Sequence, residues 1–138
     1  MANEQLVQAV KRIVTLAKAG SLDDAYAGYR ELFSSPAFLS YRPEDQRQAL
    51  KLMILAKGAP RERSSAMIEA HRSALPALNE LVAAYQDAGD YEMLGVCHVI
   101  LGNEEGAGAI FRAALAIERE RNAGSDLCGS LMKRVSEL

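Results

Sequence analysis

The fold is decided by residues 91–117, which read YEMLGVCHVILGNEEGAGAIFRAALAI. The first part of this stretch is apolar almost all round, which predicts a helix that is covered on more than one side and lies at the centre of the fold. Gly102 then interrupts the pattern, and apolar residues return with helical spacing at Ala107, Phe111 and Ala114. The stretch therefore predicts two antiparallel helices joined by a tight turn.

The sizes of the side chains in this hairpin favour close packing of its two helices. Small residues at Gly95, Ala107 and Ala114 allow the helices to approach each other closely. Large residues at Tyr91 and Phe111 fill the space between neighbouring helices. The hairpin is therefore predicted to be tightly packed.

A second hairpin is predicted at the N-terminus. Apolar residues on one face indicate a first helix over about residues 3–19, and Gly20 ends it. Ser21 or Asp23 can cap the next helix, which ends before Pro36. The Gly-Ser turn between the two helices makes them a hairpin.

A third helix is predicted to begin at Pro43 and to run to about Lys57, because proline suits a first helical turn and Gly58 follows the last one. The residues expected on its inward face are Ala49, Leu52, Met53 and Ala56. The linker before it is expected to place three residues against the N-terminal hairpin, namely Phe38, Leu39 and Tyr41.

The stretch 61–88 admits two interpretations, because one apolar stripe continues across Pro76. A proline costs about 3 kcal/mol inside a helix but little in its first turn. We therefore favour two helices with a break near Ser73, and one long kinked helix is the alternative. Further along the chain, Asp90 is the expected cap of the next helix, and the last helix is expected over residues 126–138.

The composition excludes several classes of protein. With 138 residues, 49% of them apolar and 25% charged, the chain is expected to form a single globular domain over residues 1–138. Strand patterns are nearly absent, so the expected class is all-α. The sequence has no apolar run of spanning length and no signal-like N-terminus, so we expect no membrane span and a cytoplasmic location. A net charge of -2 and the absence of tryptophan argue against a nucleic-acid partner.

Motifs for catalysis or cofactor binding are missing from the sequence. Cys97 and Cys128 lie within apolar helical patterns and are expected to be reduced, inert core residues. Cys97 and His98 are adjacent and point about 100° apart on a helix, so they do not form a metal site together. No GxxxxGK phosphate loop occurs. We therefore expect no enzymatic activity, no metal and no cofactor.

Charge is unevenly distributed along the chain. Residues 42–72 contain seven basic and four acidic residues, whereas residues 73–110 contain six acidic residues and no lysine or arginine. One interpretation is that adjacent helices of opposite charge complement each other. The other is an acidic surface that receives a basic partner segment and is formed by Glu80, Asp87, Asp90 and Glu92.

Residues 91–117 resemble one unit of the tetratricopeptide repeat (TPR) family. The residues that carry the resemblance are Tyr91, Leu94, Gly95, Gly102, Ala107, Phe111 and Ala114. The N-terminal hairpin shows the same spacing more weakly, at Gly20, Ala25, Tyr29 and Leu32, and Gly58 and Met67 suggest a third copy. The resemblance covers about two-thirds of the chain.

The resemblance implies a short TPR-like solenoid of antiparallel helix hairpins, with about seven to eight helices and a C-terminal helix that covers its open end. In such arrays the first helix of each hairpin lines a concave groove that binds peptides or helices. The partner-binding residues implied in this way are Val7, Val10, Val14, Gln48, Lys51, Leu55, Glu92, Val96 and Val99. For each apolar member, a place in the core is the alternative interpretation.

The sequence thus predicts a non-catalytic protein–protein interaction module, a monomer or homodimer that binds a partner peptide or helix in its groove. One alternative is a small cytoplasmic chaperone of the secretion type, which exposes a large apolar groove and is unstable or self-associating when alone. Another is a regulatory adaptor or a regulatory domain of a longer protein.

Overall fold

The computed structural model describes residues 3–138. The regular structure of these residues is entirely helical, which confirms the predicted all-α class and the predicted number of helices. The α-helices are α1 (Glu4–Lys18), α2 (Leu22–Ser34), α3 (Pro43–Ile54), α4 (Ser65–Ser73), α5 (Leu75–Tyr85), α6 (Ala88–Ile100), α7 (Glu104–Asn122) and α8 (Asp126–Ser136), and a 3₁₀ helix covers Pro36–Ser40. None of these helices is long and apolar enough to cross a membrane.

The helices divide into two compact units, one of residues up to Ala77 and one of residues from Leu78 onward. We refer to them as the N-terminal unit and the C-terminal unit. The division falls inside α5. The prediction of a single domain over residues 1–138 stays a prediction.

The N-terminal unit is built on α2, which packs against α1 on one side and α4 on another. The Asn3 side chain caps α1 by accepting a hydrogen bond from the amide of Leu6, at 3.2 Å. Gly20, with φ of 84°, allows the turn into α2. The predicted N-terminal hairpin is therefore confirmed.

An aromatic cluster holds the 3₁₀ helix against α2. The ring of Phe38 is fully buried and lies 5.0 Å from the ring of Phe33 and 5.9 Å from that of Tyr41. Edge-to-face pairs of this kind add to the stabilisation that burial provides. Leu39 was expected beside them, but 40% of it is exposed.

Helix α3 begins at Pro43 as predicted but ends at Ile54, three residues before the predicted end. Its C-cap, Leu55, has left the helical conformation, with φ of -104° and ψ of 20°. The prediction that Leu52 and Ala56 point inward is wrong, since both are exposed. The apolar residues that α3 does bury are Ala49, Leu50, Met53 and Ile54.

The predicted break near Ser73 is confirmed. Helix α4 ends at Ser73, Ala74 intervenes, and α5 begins at Leu75. Pro76 therefore lies in the first turn of α5, where its missing amide hydrogen costs no intrahelical bond.

The C-terminal unit is built on the hairpin of α6 and α7, against which α8 packs. Gly95 is buried against the Phe111 ring so closely that an added Cβ would overlap the ring. Gly102 has φ of 83° at the turn between the two helices. The core of the unit includes Ala107, Phe111, Ala114, Leu115, Cys128 and Leu131.

The N-cap of α6 is Asp87, and the prediction of Asp90 is wrong. The Asp87 side chain accepts hydrogen bonds from the amides of Gly89, at 2.8 Å, and of Asp90, at 3.4 Å. Asp87 has the extended backbone that a cap requires, with φ of -88° and ψ of 128°. Asp90 already lies inside the first turn, where it is buried.

Candidate functional site

Three adjoining clefts lie on one face of the N-terminal unit, between and beside α1 and α3. The first is lined by Val7, Val10 and Lys11 from α1 and by Gln48 and Leu52 from α3, among others. The second, of about 350 Å³, continues past Val14, Lys18, Leu52 and Lys57 towards the loop after α3. The third lies along α3 itself, over Gln48, Lys51, Leu52 and Leu55. We refer to the three together as the α1–α3 groove, and Leu52 lines all of them.

The groove is open because α1 and α3 are not closely packed against each other. Helix α1 packs against α2, and no pair that includes α3 is among the closely packed helix pairs of the described residues. Leu52 stands between these helices with 48% of it exposed, and Val7, Val10 and Val14 are only half-buried. The groove thus leaves apolar surface in contact with water, which costs free energy roughly in proportion to its area.

The predicted partner-binding residues of the N-terminal unit come together in this groove. Val7, Val10 and Gln48 line its first cleft, and Val14 lines the second. Lys51 and Leu55 line the third. These residues come from helices far apart in sequence, so their meeting in one groove is a property of the fold. That they bind a partner stays a prediction.

The remaining predicted residues, Glu92, Val96 and Val99, lie in the C-terminal unit on one face of α6. Val96 and Val99 are half-buried against the core that α7 and α8 contribute. They border a small cleft together with Phe111 and Arg134. Helix α8 therefore contacts this face of α6 beside the cleft, and the predicted role of the last helix as a cover for the open end of a solenoid stays a prediction.

As an implied groove residue, Glu92 was expected to be exposed, and this expectation is wrong because only 6% of it is exposed. Its carboxylate accepts hydrogen bonds from the Ser130 hydroxyl and from Nε of Arg134, both at 2.8 Å. A buried carboxylate is costly unless it is paired and hydrogen-bonded, and α8 supplies both partners. Glu92 thus joins α6 to α8.

The predicted acidic surface is not formed by its four residues. Asp90 and Glu92 are buried, with 1% and 6% exposed, and Asp87 is used as the cap of α6. Only Glu80 and Asp87 of the set are exposed. The prediction of a basic partner segment at this surface therefore loses its structural basis.

Lysines border the α1–α3 groove, and sequence reasoning missed most of them. Lys11, Lys18 and Lys57 line it beside the predicted Lys51, and all four are exposed. The sequence did indicate the two lysines of α1. Lys11 lies four residues after Val7, and Lys18 lies four residues after Val14, and both valines were predicted to line the groove. Residues four apart lie on the same face of a helix.

Both cysteines and His71 are buried in the cores of the units, whereas His98 is half-buried. Burial raises the pKa of the Cys97 thiol to about 12, so this thiol is protonated and unreactive at neutral pH. Burial lowers the pKa of His71, whose Nδ1 lies 2.7 Å from the carbonyl oxygen of Met67. Over residues 3–138, no group of three or more histidine, cysteine or acidic side chains is placed to hold a metal ion.

No protein-family model, curated protein or solved structure matches this chain. The resemblance of residues 91–117 to a TPR unit therefore stays a prediction.

Proposed function

We propose that the chain is a non-catalytic protein-binding module that holds a segment of a partner protein in the α1–α3 groove. The observation that carries this proposal is the exposure of Leu52, at 48%, in the middle of a continuous apolar groove. A contiguous apolar surface of this kind is typical of a site that a partner covers, whereas a single exposed leucine would not be.

The form of the groove favours a protein partner over a small molecule. Small-molecule sites are concave and largely closed, and they carry a few convergent polar groups that fix the orientation of the ligand. The α1–α3 groove is open to solvent and extends along two helices. Most of its lining is aliphatic, and its lysines stand at the border instead of converging on one point. An elongated apolar segment fits these features.

We propose further that the helix hairpins are of the TPR type and that the partner-binding residues are the groove residues this implies. Two features support the proposal. The packing of Gly95 against Phe111 and the turn at Gly102 fit the expected uses of these residues.

A small cytoplasmic chaperone of the secretion type is the second candidate, and exposed leucines favour it. Besides Leu52, the N-terminal unit exposes Leu22 and Leu39, at 38% and 40%. A chaperone that keeps a secreted subunit soluble presents apolar surface of this kind and self-associates when alone. Sedimentation of the purified chain over a range of concentrations separates this candidate from a regulatory adaptor, which stays monomeric or dimeric throughout.

Site-specific photo-cross-linking tests the proposed function. A photoreactive phenylalanine analogue replaces Leu52 in one chain and Leu39 in a control chain, because the two leucines are similarly exposed in the same unit. In the cells that make the protein, we expect a partner to cross-link at position 52 and not at position 39. The purified partner is then expected to bind the wild-type chain and to lose affinity for a Val10→Glu chain that retains its helical circular dichroism.

Equal cross-linking at the two positions would contradict the groove as the binding site. The same holds if Val10→Glu leaves the affinity of the purified partner unchanged. A cross-link between two copies of the chain at position 52 would show instead that the groove is a self-association surface.

A further inference from the structure

The groove has a strong charge asymmetry. Its four lysines, Lys11, Lys18, Lys51 and Lys57, are exposed along its border. No ion pair within the described part of the chain includes any of them. The border of the groove therefore carries positive charge that the unit itself does not neutralise.

Asp45 is the one acidic residue among the described residues that line the groove, and it is already paired. Only 8% of it is exposed, and its carboxylate lies 3.2 Å from Nε of Arg42. Asp45 thus offers little negative charge to a ligand. The groove as a whole combines apolar walls with a cationic border.

The walls of the groove also restrict the backbone conformation of a ligand. Along α1 and α3 the backbone amide and carbonyl groups are used within the helices, so only side chains face a ligand there. An extended segment on this surface would bury backbone polar groups without partners. A helix satisfies its own backbone groups and presents a continuous apolar stripe.

The C-terminal unit shows how this chain covers a helix face. There, α8 lays apolar residues on the core beside Val96 and Val99 and adds Arg134 to pair with Glu92. The covered face supplies the anion and the covering helix supplies the cation. In the α1–α3 groove, the lysines of the groove itself are the cations. A helix that binds there must therefore carry acidic side chains to be electrostatically complementary.

We propose that the α1–α3 groove binds an amphipathic helix of a partner protein that carries acidic side chains beside its apolar stripe. The stripe packs on Leu52 and the valines of α1, and the acidic side chains pair with the lysines at the border. The wall from Val7 to Lys18 is about 18 Å long at 1.5 Å per residue, which suits a partner helix of about three turns. This inference rests on the proposed function and specifies its partner.

Three synthetic peptides of about 14 residues serve as probes, with circular dichroism to establish that each is helical. One carries leucines at the i, i+3, i+4 and i+7 positions and glutamates beside them. The second has the same leucines with lysines, and the third has the glutamates with serines in place of the leucines. Binding to the full chain is measured by fluorescence anisotropy.

We expect the leucine–glutamate peptide to bind at least about tenfold more tightly than either of the other peptides. The variant Lys11→Glu/Lys51→Glu is expected to lose this preference for glutamate over lysine. The matched control is Arg12→Glu/Arg30→Glu, which changes the net charge equally. Arg12 follows Lys11 in sequence but lines a different cleft, and Arg30 is exposed on α2, so the control is expected to keep the preference.

The outcomes distinguish the two proposals. If the two leucine peptides bind equally well and the Leu52→Glu chain binds neither, the proposal of an acidic partner helix is wrong. The proposal that the groove binds a protein is then retained. Equal binding of the leucine–glutamate and serine–glutamate peptides overturns it as well, because attraction to the lysines alone would explain both. If no peptide binds and position 52 cross-links to a second copy of the chain, both proposals fail together.

Discussion

The two units differ in how a helix face is joined to the rest of the chain. In the C-terminal unit, α8 contacts the face of α6 that holds Glu92, Val96 and Val99 and pairs Ser130 and Arg134 with Glu92, and a small cleft remains beside the two valines. In the N-terminal unit, the face of α1 that holds Val7, Val10 and Val14 borders an open groove with Leu52 exposed in it. The valines of both faces are half-buried, but among the described residues only the α6 face is joined by an ion pair to another helix.

Buried carboxylates occur in both units, since the N-terminal unit buries Asp45 beside Arg42, but they are more frequent in the C-terminal unit. The C-terminal unit buries two glutamates, and each has an arginine and a serine as partners. Glu92 is held by Arg134 and Ser130, and Glu118 is held by Arg121 and Ser125. The four groove lysines of the N-terminal unit stay outside, in water. We interpret the closed face as structural and the open one as the place where the missing partners are supplied by another protein.

The largest expected effect is on the free energy of unfolding. Two leucines of α3 test whether the residues of the open groove contribute to it. Leu50 is fully buried and Leu52 is 48% exposed. Leu50→Ala should lower the free energy of unfolding by about 3 kcal/mol, because it removes buried methyl groups and leaves a cavity. Leu52→Ala should change it by less than about 0.5 kcal/mol. Urea unfolding followed by circular dichroism measures both, and a comparable loss for Leu52→Ala would show that the groove is part of the core.

A smaller effect tests the polar connection that closes the other face. Glu92→Gln keeps the shape of the side chain but removes the charge that faces Arg134, so it should lower the free energy of unfolding by roughly 1 to 2 kcal/mol. The control is Lys133→Gln, which removes an exposed ion pair of α8. Nζ of Lys133 lies 3.9 Å from Oε1 of Glu137, and both side chains are largely exposed. This control should cost less than about 0.5 kcal/mol. Equal losses for the two variants would mean that the Glu92 pair does not hold α8 to α6.

Sequence reasoning succeeded where the decisive signal is local. The turns at Gly20 and Gly102 follow from the left-handed backbone that glycine adopts easily, and the break before α5 follows from the place of Pro76. The fit between Gly95 and Phe111 is also visible in the sequence, because both belong to one hairpin. These signals were enough for the helices and for the two hairpins.

Sequence reasoning failed where a residue far away in the sequence decides whether a side chain is buried. Glu92 resembles an exposed helix residue, and its burial depends on Arg134, which lies 42 positions further along the chain. Leu52 fits an apolar stripe of α3 together with Ala49 and Met53, but the buried face of α3 extends from these two residues towards Leu50 and Ile54 and leaves Leu52 outside it. The groove lysines were missed for a related reason, since only the fold brings α1 and α3 to one groove.

The smallest effect is a difference between the units in acid. In the N-terminal unit, burial lowers the pKa of His71 below its ordinary value of 6.5. The unfolded chain therefore binds this proton first, so the contribution of His71 to stability is complete above pH 6.5 and declines as the pH falls below it. In the C-terminal unit, hydrogen bonds from Arg121 and Ser125 lower the pKa of Glu118 from 4.5 to about 2. Its contribution is complete above pH 4.5 and is lost as the pH falls towards 2.

Amide hydrogen exchange between pH 6.5 and 4.5 can separate the two contributions, once the rates are corrected for the intrinsic effect of pH. Protection of α2 and α4 should decline over this interval in the wild type, and less so in a His71→Gln chain. A Glu118→Gln chain should show the wild-type decline in α2 and α4, because Glu118 titrates below the interval. If His71→Gln leaves the decline unchanged, then the buried histidine is not its source, and the pH dependence of the N-terminal unit must come from its surface charges.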